Sequence, residues 1–325
     1  MSLQIQANTN DGLIKKLQDC GVIKHKIVAN VMKETDRKYY SNLLIPYIDR
    51  PEMIDLSAYL AAPHMHAYAL EKLVDFIKAD SKILDIGSGS GYMAACFARL
   101  IQARAVETLK ESTGYVIGVE PHQKLVETSI GNITADNPKL IESGLIKIFE
   151  GDGRKGIQEF GPFDVIHVGA AIPEVIIELL MLLNLNGRML CPVGDTEGVQ
   201  QMIQCDKNSA GEITKNVLTN VVFDPLIDPL DISPSTISTD GNISDTTDES
   251  SNTKITSSGF DESQIDIDED ENTLRDTNES LNKENIANEK SQPYLNLSDQ
   301  VTQREEDESI ASTISLKSFA MESDG

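Results

Sequence analysis

The sequence predicts an α/β fold, a mainly parallel sheet with helices on both faces, followed by a disordered acidic tail. Three observations predict it. Short apolar runs alternate with helical patterns from Pro63 to Val193, the signature of βαβ units. One of those runs, residues 82–86, feeds a turn with glycine at every second position, Gly87, Gly89 and Gly91. Near Pro229 the composition changes, and 27 of the 95 residues from 231 onward are Ser or Thr. We therefore divide the chain into a globular domain, residues 1–229, and a tail, residues 230–325.

The first helix is signalled by Leu13, Ile14 and Leu17, with Gly21 where a C-terminal stop belongs. Ile27, Val28, Val31 and Met32 mark a second short helix. Residues 41–57, broken by Pro46 and Pro51, read as irregular. Ala69, Leu70, Leu73, Val74 and Ile77 lie on one helical face. Strands are expected at 82–86, 115–120, 145–150, 163–168 and 188–193, with helices at 92–103, 123–133 and 175–183 between them. Residues 103–113 read as an insertion, either a surface loop or a helix extension. Residues 199–205 and 217–223 suit a closing antiparallel pair. About 230 residues suffice to bury one core of this kind.

Charge is divided unevenly. The net charge is −24, of which residues 231–325 carry −17 and the remainder −7. With no basic cluster in the body, nucleic acid is not expected as a partner. The tail lacks the apolar periodicity needed to offset the entropy of ordering, and it would repel DNA and anionic membranes. Thr246, with Glu249 three residues on, suits an acid-directed kinase. The longest apolar stretch, 175–185, is broken by Glu178 and Asn184 and falls short of the roughly 20 residues a membrane span needs. No charged head and apolar run opens the N-terminus. Cys20, Cys96, Cys191 and Cys205 form no close pair, as expected for free thiols in a reducing, cytoplasmic setting. No sustained heptads suggest assembly, so a monomer is expected.

The strongest local signal is Ile83-Leu84-Asp85-Ile86-Gly87-Ser88-Gly89-Ser90-Gly91. Glycines there let a ligand approach the backbone, and the helix that follows offers free N–H groups. The spacing is G-x-G-x-G rather than the dinucleotide pattern, and an acid precedes the first glycine by two. An adenosyl amino acid fits: Asp85 faces its amino group, and the glycines admit its carboxylate. Glu120 ends the next strand, where an acid can accept from both ribose hydroxyls. Asp152, within Gly151-Asp152-Gly153-Arg154, ends the strand after that, where its carboxylate or a backbone N–H can read an adenine edge. Acids at three successive strand ends point to a ligand crevice at the carboxyl edge of the sheet.

These motifs resemble the protein-L-isoaspartate O-methyltransferases. Ala62-Pro63-His64-Met65-His66-Ala67 and the 84–91 run look like the first two signatures of that family, and 151–154 is similar to the third. His167-Val168-Gly169-Ala170-Ala171, with Gly187-Arg188 and Pro192-Val193-Gly194, resembles the fourth; Asp224-Pro225-Leu226 resembles the closing segment. The resemblance covers roughly residues 10–228. It implies a Rossmann-like methyltransferase fold that uses S-adenosyl-L-methionine, no metal, and isoaspartyl-containing proteins and peptides as substrate. The activity implied is methylation of the isoaspartyl α-carboxylate, which starts repair of damaged chains. By resemblance, Ala58, Tyr59, Leu60 and His64 would bind substrate. His66, Asp85, Gly87, Ser88, Gly89, Ser90, Gly91, Glu120, Asp152 and Gly153 would bind the cofactor, with Asp85 also placed at the catalytic centre.

The chemistry asks for alignment more than for acid–base groups, because a carboxylate is already ionised at neutral pH and a sulfonium methyl is an activated electrophile. One departure concerns the catalytic position directly. Ala61 stands where the family usually carries a Ser or Thr hydroxyl, which is worth about 1.5–3 kcal/mol when donated to a charged group. Tyr59 and Ser57 are nearby hydroxyls. Ile227 replaces a Thr, and the family's last helix gives way to the tail. Two other readings follow from Ala61: a cofactor-binding, non-catalytic protein-interaction module, and a methyltransferase for another carboxylate.

Overall fold

A computed structural model of the chain describes residues 5–55, 58–195 and 198–227. Two helices open it, α1 (Asn10–Asp19) and α2 (Lys26–Glu34). Thr9 caps α1 by accepting from the Gly12 N–H, and Leu13, Ile14 and Leu17 are buried beneath it. A 3-10 turn, Arg37–Tyr39, leads into two short strands, β1 (Glu52–Asp55) and β2 (Ala58–Leu60), which pair antiparallel. The segment expected to be irregular thus contains a strand. Four residues are too few for a period of two to emerge, and pairing with β2 supplies what the local sequence does not. Ser57 lies outside the described residues, as do Thr246 and the whole 230–325 tail.

The main sheet has seven strands in the order β5-β4-β3-β6-β7-β8-β9. They are β3 (Lys82–Ile86), β4 (Tyr115–Glu120), β5 (Ile146–Glu150), β6 (Phe163–Val168), β7 (Leu183–Gly194), β8 (Gln200–Lys207) and β9 (Ile213–Val221). The first five are mutually parallel, and β7-β8 and β8-β9 are antiparallel. The helices between are α3 (Pro63–Leu73), α4 (Tyr92–Thr108), α5 (Gln123–Asp136), α6 (Lys139–Glu142) and α7 (Ile177–Leu182). The inserted stretch resolves into both expected forms: α4 runs on to Thr108, Leu109 closes it with φ +53, and a loop follows to Gly114. Strand β7 begins five residues earlier than the apolar run predicts. Leu183 pairs with Phe163, and a register shift then carries the strand past Asn186 at φ +59.

Both faces of the sheet are buried, and the strands show it residue by residue. Ile83, Val116 and Val165 enter the core shared with α1 to α6, while Leu84, Ile117 and Ile166 enter the core shared with α7. Alternate residues of a strand point to opposite faces, so continuous apolar runs fit only a sheet covered on both sides. The parallel strands all end at one edge, which brings the ends of β3, β4 and β6 together.

Candidate functional site

Strand β3 delivers Asp85 to that edge almost fully buried, 1% exposed. Its Oδ1 lies 2.7 Å from Nδ1 of His167 on β6, and its Oδ2 is buried with no hydrogen-bond partner. An ionised carboxylate half satisfied in a buried place is costly unless a cation completes it. The chain then turns through the glycines, pinned by backbone bonds from the Gly87 and Ser88 N–H groups to the Val119 carbonyl, 2.9 and 3.2 Å. Gly91 opens α4 at φ +85, where a Cβ would also lie 2.9 Å from Ile133 Cδ1. The Ser88 hydroxyl, buried in the turn, is likewise without a partner.

Glu120 ends β4 beside this turn. It is 5% exposed and accepts the Gly89 N–H at 3.1 Å on Oε2. Burial pushes its carboxyl up to about 7, against the pull of the Gly89 and His122 backbone N–H groups.

The third acid is placed differently. Asp152 is engaged by its neighbour Arg154, whose Nε and terminal nitrogen each donate at 2.8 Å, with the Arg154 backbone N–H at 3.0 Å. These bonds hold its carboxyl below the usual range. Gly153 is buried under the end of β3, where a Cβ would stand 2.3 Å from Ile86 Cγ2. The structure therefore shows Asp152 and Gly153 shaping the β5 exit through an ion pair and close packing. Neither lines the two cavities at the sheet edge, and neither does Gly91.

The larger cavity is about 510 Å³ and the smaller about 40 Å³. Ala58, His64 and Glu120 line the larger; Leu60, His66, Asp85, Ser88 and Ser90 line the smaller. Tyr59, Ala61, Gly87 and Gly89 line both, so the two adjoin across the glycine turn and the 58–62 segment, β2 and the two residues after it. Pro63 starts α3 directly after that segment. His64 is fixed there by Asp49, whose Oδ1 accepts the His64 backbone N–H at 2.9 Å and sits 2.8 Å from its Nδ1. His66 faces inward instead, so the two histidines answer to different partners. Tyr59, Val199 and Val222 give the larger cavity a partly exposed apolar rim.

Several contributors escape a reading of the sequence. His167 sits within a quoted motif, yet only the β3–β6 pairing aligns it with Asp85. Asp49 and Arg37 lie far from the motifs and reach the site through the tertiary fold. The 220–227 segment lines the larger cavity, Ile227 included, and is tied to the end of β6 by Ala171–Asp224 and Leu226–Ala171 backbone bonds of 2.7 and 2.8 Å. The buried, unpartnered Asp85 Oδ2 and Ser88 hydroxyl, beside Glu120, fit an adenosyl amino acid: an ammonium for the first, polar atoms for the second, ribose hydroxyls for the third. Among the described residues, no helix is long and apolar enough to cross a membrane.

Comparison with known proteins agrees with this geometry. The family model described as protein-L-isoaspartate(D-aspartate) O-methyltransferase (PCMT) matches residues 8–231. The Caenorhabditis elegans protein-L-isoaspartate O-methyltransferase is 37% identical over 226 residues, spanning 70% of this chain and 96% of that protein. The Arabidopsis thaliana protein-L-isoaspartate O-methyltransferase 1 is 36% identical over 221 residues, spanning 67% and 91%. Among solved structures, the Plasmodium falciparum beta-aspartate methyltransferase (PCMT) in complex with S-adenosyl-L-homocysteine superposes with a TM-score of 0.61 at 34% identity, covering 68% of this chain and 99% of that one. With a doubly covered sheet, the glycine turn and these matches in hand, the chain belongs to the protein-L-isoaspartate(D-aspartate) O-methyltransferase family.

Proposed function

We infer that the chain is an S-adenosylmethionine-dependent methyltransferase that esterifies the α-carboxylate of L-isoaspartyl residues in damaged proteins and so initiates their repair. The observation that carries this reading is the buried Asp85 carboxylate with one oxygen open, set beside Glu120 and the glycine turn and facing the 58–62 segment.

S-Adenosylmethionine supplies an electrophilic methyl group on a sulfonium. The chain's own residues bind, align and exclude water. Asp85 would take the cofactor's ammonium, held in orientation by His167. Glu120 would accept from the ribose hydroxyls. The substrate carboxylate would enter through the larger cavity past Tyr59 and His64. It already carries its negative charge, so no side chain need remove a proton before the oxygen–methyl bond forms and the methyl–sulfur bond breaks. The Ala61 side chain offers no donor. Tyr59, lining both cavities, is the described hydroxyl nearest in sequence to replace it.

Ala61 also favours a second reading, a member that binds the cofactor without transferring the methyl group. Labelled S-adenosylmethionine, offered with two peptides that differ only in an Asp or isoAsp linkage, separates the two. Label on the isoAsp peptide alone supports the repair enzyme; cofactor uptake without transfer supports the second reading. The four free thiols, three of them buried, support a cytoplasmic setting. A monomer, and a tail at 230–325 outside the catalytic domain, complete the proposal.

A further inference from the structure

Arg37 opens the 3-10 turn after α2, and no motif singles it out. Its side chain is 1% exposed. One terminal nitrogen donates to the Ala61 carbonyl at 2.9 Å, and the other lies 3.3 Å from His66 Nδ1. Its Nε is buried with no partner. Among the described residues no carboxylate pairs with it. The guanidinium carbon is 5.9 Å from the centre of the Tyr92 ring, which in turn packs 4.7 Å from the His66 ring. This is a large outlay of desolvation for a residue that closes no ion pair. Its two hydrogen bonds go to the Ala61 carbonyl, beside both cavities, and to a cavity-lining imidazole.

The chemistry of the contact is one-sided. A guanidinium has only donors and does not give up its proton in a protein. His66 Nδ1 must therefore accept, and the one proton of a neutral ring must sit on Nε2. We propose that Arg37 is a positioning residue that locks His66 as the Nε2–H tautomer, making Nε2 a standing donor into the small cavity shared with Asp85 and Ser88. The acceptor this donor suits is the carboxylate of the cofactor's amino-acid end, so the inference rests on the cofactor reading above. A second proton on His66 would have to enter at Nδ1, against the guanidinium. The ring also has His64 on its own helix, His167 on β6 and Tyr92 on α4 around it, and Asp85 across the cavity. Burial first, then Arg37, His167 and His64, hold the ring well below the ordinary histidine range. The donor thus stays neutral and in place across the physiological range. Through its second bond the same guanidinium fixes the Ala61 carbonyl, tying the loop that faces the substrate to the group that faces the cofactor.

The test is a long-range proton–nitrogen spectrum of the uniformly 15N-labelled full chain, with the His66 signal assigned by its loss in His66→Gln. The expected result is one neutral Nε2–H tautomer, unchanged from about pH 5 to about pH 8. An Nδ1–H tautomer, or titration inside that window, overturns the proposal without any variant being needed. In Arg37→Gln, His66 should titrate or mix tautomers, and calorimetry should show S-adenosylhomocysteine bound about tenfold more weakly. His66→Gln, which keeps an amide donor, should retain more binding than His66→Ala. Equal loss in the two overturns the donor role. No uptake by the wild-type chain would overturn the cofactor reading and this inference with it, whereas uptake together with the wrong tautomer would overturn this inference alone.

Discussion

Replacing Glu120 by Gln should strengthen the empty protein and weaken its hold on the cofactor, and the first effect should depend on pH in a defined way. Burial raises the Glu120 carboxyl from 4.5 to about 7 in the folded chain. Between those values the folded state keeps a proton that the unfolded chain releases, so Glu120 lowers stability progressively as pH rises through the window. At 1.36 kcal/mol per tenfold change in proton affinity, the ionised side chain costs about 3 kcal/mol once pH passes 7. Gln removes the charge and retains an oxygen for the Gly89 N–H. Glu120→Gln should therefore gain about 3 kcal/mol over wild type at pH 8, roughly 6–12 °C in melting temperature for a domain of this size. The gain should nearly vanish by pH 4.5. Paired urea melts of the two proteins across this range supply the measurement. In the same variant, S-adenosylhomocysteine should bind about 10- to 150-fold more weakly at pH 8, because a charged acceptor for two hydroxyls has become a neutral one. A stability difference that stays flat with pH, or one favouring wild type at pH 8, would refute the reasoning.

Other outcomes follow from the same geometry. If Glu120 accepts from the ribose hydroxyls in its ionised form, as proposed, wild-type affinity for S-adenosylhomocysteine should be level above about pH 7 and fall about tenfold per pH step below it; calorimetry in two buffers at pH 6 should then register a released proton. Asp85→Asn should leave the cofactor's ammonium without its counter-charge and weaken binding by about 10- to 150-fold, and an unchanged dissociation constant would remove Asp85 from the site. Ala61→Ser should raise kcat/KM for the isoAsp peptide, by up to roughly 150-fold if the missing hydroxyl limits the rate, and no change would mean that another group has its role. Gly153→Ala should cost about 1–3 kcal/mol in urea denaturation because its Cβ meets Ile86 at 2.3 Å, and a loss near zero would show that the β3 end yields freely.

Much of this protein was legible in its sequence, because the signals involved are local. Continuous apolar runs announced strands buried on both faces, and β3, β4 and β6 fall where those runs stand. The glycine spacing announced the turn, since backbone geometry at Gly91 admits little else. The acids at the ends of β3 and β4 were found because a strand's end fixes where its last side chains emerge. Other features depended on partners distant in the chain. Asp152 reads as an acid at a strand end from its position, and the structure adds that the neighbouring Arg154 folds back to donate to it, a rotamer choice that spacing does not encode. Strand β1 pairs with β2, and its four residues are too few to show a period in the sequence. Asp49, His167 and Arg37 enter the site through contacts spanning 15, 82 and 29 residues. The sequence by itself determined the sheet, its glycine turn and the acids at its strand ends. The tertiary structure decided which hydrogen-bond partners each acid meets, because hydrogen-bond satisfaction in a buried site is settled by neighbours in space rather than along the chain.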